Sequence, residues 1–287
     1  MTYFHSQTLR AVDANLDRAA EGLRVLEDVA RFCLDSLPVS AELKSLRNRL
    51  LAGIPFTSAE LTSARDSSGD VGRNPEAAKI PSTGLADTVT ANARRVEQSL
   101  RVLEELARLP DSRLSGALFE SIRYRVYDLE KELTGAVGRR HRLKRLGEHY
   151  LITGNIAAAA EALAEPATTV QLNESGAGRG ELWRQALNLS GSQTPDKGLF
   201  IIGEYADIAV AVNADGVAIN GGSLPPGVIR KLLAVDQLIG FAARDTDEAV
   251  KAADSGADYL VCPAALKNTL AGRVGIPVIT PQETAAV

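Results

Sequence analysis

The chain contains the same helical stretch twice, and few folds accommodate that. Residues 15–31 read NLDRAAEGLRVLEDVAR and residues 92–108 read NARRVEQSLRVLEELAR, 77 positions apart, with LRVLE identical and an alanine before each asparagine. A second echo follows at an offset of 76, where Ser45-Leu46-Arg47-Asn48-Arg49-Leu50 returns as Ser121-Ile122-Arg123-Tyr124-Arg125-Val126. The repeated unit is therefore a pair of helices. Two copies are too few for a solenoid. They imply an all-α duplicated helical hairpin, four-helix-bundle-like and closed by a pseudo-two-fold.

Placed 100° apart, Leu16, Ala19, Gly22, Leu23, Leu26, Ala30, Cys33 and Leu34 gather on one side of the first repeat, with Asp17, Glu21, Arg24, Glu27, Asp28 and Arg31 opposite. This is an amphipathic helix with one buried stripe. The pattern predicts it to end before Pro38, with a second helix over 40–51 stopped by Gly53 and Pro55. The second hairpin is predicted over 84–109 and 112–133.

The repeated polar residues admit more than one reading. Arg24/Glu27 and Arg101/Glu104 have the i,i+3 spacing of surface ion pairs, and a solvated face is expected for them. Asn15 and Asn92 fall at the edge of the apolar stripe. Each either satisfies helix termini of its own hairpin or contributes to a polar pocket shared by both. With Arg18, Arg95, Arg47 and Arg123 from matching positions, such a pocket suits an anion, because guanidinium matches phosphate geometry. Between the hairpins, residues 64–73 (ARDSSGDVGR) form the least helical stretch. It reads as a surface loop or as a functional one. In the second case Asp66 and Asp70 suit Mg²⁺, and Arg65 with the glycine backbone suits a phosphate.

After a basic run at 135–148, expected as a linker, the pattern changes. Short apolar runs at 150–153, 169–172, 199–202, 216–219, 238–242, 259–262 and 277–279 alternate with helical stretches. Alternation of this kind means a parallel sheet, and its regularity favours an incomplete (β/α)₈ TIM-type barrel lacking an eighth strand. The expected domains are thus 1–134 helical, 135–148 linker and 149–287 barrel. An open barrel edge must be covered, which favours a homodimer.

Composition narrows the partners. A net charge of −4 gives no reason to expect nucleic acid. Two distant cysteines, Cys33 and Cys262, have no metal-type spacing and suit buried free thiols in a cytoplasmic protein. No apolar run of about 18 residues is present, so no membrane span is expected.

The barrel half also carries an ordered set of short motifs. They are Tyr150-Leu151-Ile152-Thr153, Val170-Gln171-Leu172, Ala209 through Val217, Leu224-Pro225, Ile239-Gly240, Glu248-Ala249, Gly256-Ala257-Asp258-Tyr259 and Ile276-Pro277-Val278. In this order they resemble thiamine-phosphate synthase. That family joins hydroxymethylpyrimidine (HMP) diphosphate to thiazole phosphate and releases pyrophosphate with Mg²⁺. The first half, with its repeated LRVLE and Asp70-Val71-Gly72, resembles a domain fused ahead of such synthases in some bacteria.

The resemblance also exposes departures. Where the family places diphosphate-binding Arg and Lys after strand two, Asn173 and Ser175 stand here. Its Asn-Asp pair after strand three is Gly203 and Glu204, and its metal-binding Asp before Leu-Pro is replaced in Asn220-Gly221-Gly222-Ser223. Its serine after strand five is Ala242 or Ala243. The loop after strand six is cut to 263–269, and the Gly-Gly phosphate loop is Thr280-Pro281-Gln282. Only Gln171 carries over. A barrel inactive in condensation is therefore expected, with the helical half acting on or binding HMP phosphate. The family of the fused domain suggests an HMP-phosphate kinase using ATP and Mg²⁺, although no GxxxxGK[ST] loop is present. A non-catalytic binding module and retained thiamine-phosphate synthase activity are the alternatives.

Overall fold

A computed structural model describes residues 3–66, 69–70, 84–110, 112–147, 149–166, 168–191, 198–270 and 272–283. The chain divides into two compact units, Met1–Val137 and Gly138–Val287.

The first unit is helical. Helix α1 (Tyr3–Asp28) ends in a π-helical turn at Val29–Cys33, and α2 (Leu37–Ala52) follows. The short α3 (Ser58–Ser63) precedes α4 (Leu85–Ala107) and α5 (Gly116–Lys144). Buried positions recur at three- and four-residue spacing, as in Val12, Leu16, Ala19, Leu23 and Leu26 of α1 and Val89, Ala93, Val96, Leu100 and Leu103 of α4. Val39, Leu43, Leu46 and Leu50 of α2 and Phe119, Ile122, Val126, Leu129 and Leu133 of α5 join the same core. Helices α1 and α4 approach closely at Gly22, where a Cβ would lie 2.6 Å from Val96 Cγ2 and 3.1 Å from the Asn92 carbonyl oxygen. Helix α3 was not anticipated. Thr57 and Glu60 form a capping box at its start, with Glu60 N–H donating to Thr57 Oγ1 at 3.2 Å and Thr57 N–H to Glu60 Oε2 at 2.7 Å.

The basic run expected as a linker is mostly helix, because α5 continues to Lys144. Within the second unit its arginines meet aspartates at the strand starts. Arg139 lies 3.3 Å from Asp258, and Arg142 lies 3.1 Å from Asp215 and 2.6 Å from Asp236. Asp215 and Asp258 also accept from the Phe200 and Ile239 backbone N–H groups. Opposite charges thus explain why these residues are ordered rather than a solvated tether.

The second unit is a parallel sheet with alternating helices. Its strands are β1 (His149–Thr153), β2 (Thr168–Leu172), β3 (Leu199–Gly203), β4 (Gly216–Asn220), β5 (Leu238–Ala242), β6 (Tyr259–Val261), β7 (Val278–Ile279) and β8 (Gln282–Glu283). The interleaved helices are α6 (Ile156–Leu163), α7 (Arg179–Ser190), α8 (Ala206–Ala211), α9 (Pro226–Ile229), α10 (Thr246–Asp254) and α11 (Ala264–Leu270). The strand order is β7-β6-β5-β4-β3-β2-β1-β8.

The sheet ends differently from the expectation. β7 pairs with β6 and β8 pairs with β1, and only Thr280 and Pro281 separate them. One extended segment therefore bridges β6 and β1, in a nearly closed seven-stranded barrel, with Pro281 interrupting its ladder because it has no N–H. The case for a homodimer made from an uncovered edge loses its basis.

Alternate strand residues face opposite sides. Val170, Leu172, Phe200, Ile202, Val217, Ile239 and Leu260 pack against the helices. Tyr150, Leu199, Leu238, Tyr259 and Val261 fill the interior. Tyr259 takes the room left by Gly240, where any Cβ would collide with its ring. Both cysteines are free, Cys262 buried and Cys33 partly exposed. Among the described residues, no helix is long and apolar enough to cross a membrane.

Candidate functional site

In the helical unit, the repeated charges form triads around buried glutamates rather than the solvated pairs expected. Glu27 and Glu104 are only 4% and 5% exposed. Glu27 Oε2 accepts from Arg47 Nη2 at 3.0 Å and Glu27 Oε1 from Arg24 Nη1 at 3.3 Å. Glu104 accepts from Arg123 Nε at 2.5 Å and Nη2 at 3.1 Å, and from Arg101 Nη1 at 2.9 Å. The helical wheel put Glu on the polar side of α1 and α4. It could not show that α2 and α5 cover that side and bring an arginine to it. The usable signal was the coincidence of two echoes: where Glu repeats in one helix, Arg repeats in its partner.

The asparagines bond the backbone inside their own helices, and Asn15 does so away from either end of α1. Asn15 Nδ2 donates to the Ala11 carbonyl and Asn92 Nδ2 to the Thr88 carbonyl, each at 2.8 Å within its own helix. Asn92 Oδ1 accepts from Arg95 Nη1 at 3.0 Å. The two amides therefore do not build a shared pocket. Arg18 is exposed and makes no ion pair among the described residues. Arg123 is buried under Tyr124 and Tyr127.

Three arginines do meet. Arg24, Arg47 and Arg95 line one open groove of about 530 Å³ with Ala20, Glu21 and Val25. Arg24 also reaches Asp28 at 3.3 Å. Arg95 has the neutral Asn92 amide as its hydrogen-bond partner and makes no ion pair among the described residues, with Glu21 lining the same groove. Such a cluster presents several N–H donors in one concavity, which suits an anion with several oxygens.

The loop candidates are held otherwise. Arg65 is bidentate to Asp13, with Nε–Oδ2 at 2.5 Å and Nη2–Oδ1 at 3.0 Å, and reaches Asp17 at 2.9 Å. Asp66 and Asp70 flank Arg10, at 3.7 and 3.9 Å. Both carboxylates thus have the Arg10 guanidinium within ion-pair distance. The neighbouring positions 67, 68 and 71–73 lie outside the described residues.

At the C-terminal ends of the barrel strands, Gln171 is 8% exposed. Its Oε1 accepts from Tyr150 Oη at 2.9 Å and its Nε2 donates to Asn173 Oδ1 at 2.9 Å. Tyr150 Oη lies 3.0 Å from Tyr259 Oη. Burial pushes both phenols above their ordinary range and keeps them protonated. Glu204 follows β3 at φ 63°, and its carboxylate accepts from Asn220 Nδ2 at 2.7 Å. Glu174 accepts from the Gly178 N–H at 2.6 Å. Arg244 is held by Glu248, whose carboxyl that arginine lowers to about 2. Burial raises the Cys262 thiol, so it is not a reactive thiolate.

Among the described residues, no group of three or more His, Cys, Asp or Glu is placed to hold a metal. The strand ends offer carboxylates already bonded to donors and one arginine already neutralised.

Comparison with known proteins covers both units. Residues 10–132 match the ThiD2 family and residues 149–270 match the family described as thiamine monophosphate synthase. A thiamine-phosphate synthase of Synechocystis sp. is 37% identical over 272 residues, covering 92% of this chain and 77% of that protein. One of Nostoc sp. is 36% identical over 259 residues, covering 88% of this chain and 71% of that protein. A solved structure named thiamine phosphate pyrophosphorylase, from Pyrococcus furiosus, aligns with a TM-score of 0.43 at 26% identity, over 50% of this chain and 77% of that one.

Proposed function

Because this chain belongs to the thiamine-phosphate synthase family, whose members match it across both units, we propose that it forms thiamine phosphate. The likeness along about nine-tenths of the chain carries this reading. It outweighs the expectation of an inert barrel, which rested on absent motif residues alone. Gln171 is the strand-end residue best prepared to meet substrate. Its carbonyl is fixed by Tyr150 and one amide N–H by Asn173, which leaves one N–H to donate. Glu204 and Asn220 stand beside each other at the next two strand ends. Purified chain given HMP diphosphate, thiazole phosphate and Mg²⁺ should yield thiamine phosphate, and Gln171→Ala should lower the rate at least tenfold. A folded chain that gives no product would overturn this reading.

A second reading is favoured by the groove of Arg24, Arg47 and Arg95. The helical unit binds the phosphate of a phosphorylated pyrimidine there and acts as an HMP-phosphate kinase supplying the diphosphate. Phosphoryl transfer rests largely on positioning and charge neutralisation, which arginines provide. Incubation with HMP phosphate and Mg-ATP should give HMP diphosphate, and Arg47→Ala should weaken HMP-phosphate binding. Unchanged binding in that variant would remove the groove from the account.

A further inference from the structure

The duplication supplies an internal comparison for this groove. Offsets of 77 and 76 carry Ala20, Glu21, Arg24, Val25, Arg47 and Arg95 onto Glu97, Gln98, Arg101, Val102, Arg123 and Arg18. Four exchanges separate the copies, and one of them turns Glu21 into Gln98. Ala20 becomes Glu97, and the neighbours of Arg47, Asn48 and Leu51, become Tyr124 and Tyr127.

The exchanges at Glu97, Tyr124 and Tyr127 close the second copy. Arg123 spends Nε and Nη2 on Glu104 and Nη1 on the Tyr127 hydroxyl at 3.0 Å. Its guanidinium carbon lies 4.8 Å from the Tyr124 ring centre and 5.6 Å from that of Tyr127. Arg47 gives Nε and Nη2 to Glu27, its Nη1 has no partner among the described residues, and its side chain is 21% exposed against 10% for Arg123. Glu97 adds a carboxylate beside Glu130, one of its oxygens buried without a hydrogen-bond partner. Burial and Glu130 push its carboxyl up to about 7. The Glu97–Glu130 carboxyl pair takes up space where the first copy has a methyl group.

We infer that the duplicated helical unit keeps one phosphate site per chain, built by the first copy, and that the second copy has filled its own with Glu97, Tyr124 and Tyr127. The ligand class is a phosphomonoester or diphosphate of a small molecule. The inference rests on the groove reading above and refines it.

Arg24 and Arg101 are equivalent, each about half exposed and each at i,i+3 from its glutamate, so their removal makes a matched pair. Equilibrium dialysis with HMP phosphate would compare the full-length chain with Arg24→Ala and Arg101→Ala, each checked for unchanged helicity. Loss of a charge-assisted contact predicts about tenfold weaker binding for Arg24→Ala. Arg101→Ala should stay within about twofold of the parent by the same reasoning. Equal losses in the two variants, or a loss confined to Arg101→Ala, would overturn the single-site inference. No binding by the folded parent, or binding that neither variant moves, would instead remove the groove reading itself.

Discussion

Removing Glu104 tests whether the triads hold the helical unit together. Glu104 is 5% exposed and accepts three N–H bonds from two arginines. In Glu104→Ala, Arg123 keeps its charge but loses its only carboxylate contact among the described residues, and it is itself 8% exposed. Breaking a buried pair on one side costs about 3–5 kcal/mol, most of it from the charge left behind. The matching Glu27→Ala should cost less, about 1.5–3 kcal/mol, the value of hydrogen bonds to charged groups. Arg24 is half exposed and Arg47 a fifth exposed, so both can turn to water. Urea unfolding followed by far-UV circular dichroism measures both costs through the midpoint. Trp183, the sole tryptophan, lies in α7 of the barrel unit, and its fluorescence follows that unit separately. Equal losses in the two variants, or less than about 1 kcal/mol for Glu104→Ala, would refute the claim that burial sets the strength of these pairs.

Three further outcomes are expected. Gly22→Ala should lower the melting temperature despite its better helix propensity, because the new methyl meets buried Val96 at 2.6 Å, and overpacking costs about 1–3 kcal/mol; a melt at or above the parent's would show that α1 and α4 can separate freely. Gly240→Ala should disrupt the barrel interior through the Tyr259 ring, seen as a shifted Trp183 transition, and restoration by adding Tyr259→Phe would argue against ring contact as the cause, since Phe keeps the ring. The Glu97 carboxyl stands at about 7 in the folded chain against an ordinary 4.5. Below pH 4.5 it is protonated in both states; as pH rises from 4.5 to 7 only the unfolded chain releases the proton, so stability falls across that window. Glu97→Gln should therefore gain on the parent between pH 4.5 and 7.5, and a constant difference in melting temperature would contradict the assignment.

Much of the fold was legible because both units have strong periodicity. The Leu and Val stripes of α1 and α4 and the seven apolar runs of the barrel are signals that local packing cannot override. Helix α3 was readable from Thr57-Ser58-Ala59-Glu60, whose capping-box pattern precedes it, but its length of six residues leaves little periodicity to notice. The segment across β7 and β8 was hidden because Pro281 interrupts it and each half pairs with only two residues. The site was less legible. Sequence shows that Arg24, Arg47 and Arg95 exist; which of the repeated arginines share a groove depends on helix crossing. Arg123 looked equivalent to Arg47 until two tyrosines one turn apart covered it. The basic run before the barrel looked solvated because its partners, Asp215, Asp236 and Asp258, come more than 70 residues later.

The most direct test gives the purified chain HMP phosphate, thiazole phosphate and Mg-ATP together and follows the products by mass spectrometry. The account predicts thiamine phosphate, formed only when all three are present. Accumulation of HMP diphosphate without thiamine phosphate would contradict the synthase reading and leave the helical unit as the working half. Neither product from a folded chain would contradict the kinase reading, and no thiamine phosphate after HMP diphosphate is then added would contradict the synthase reading as well.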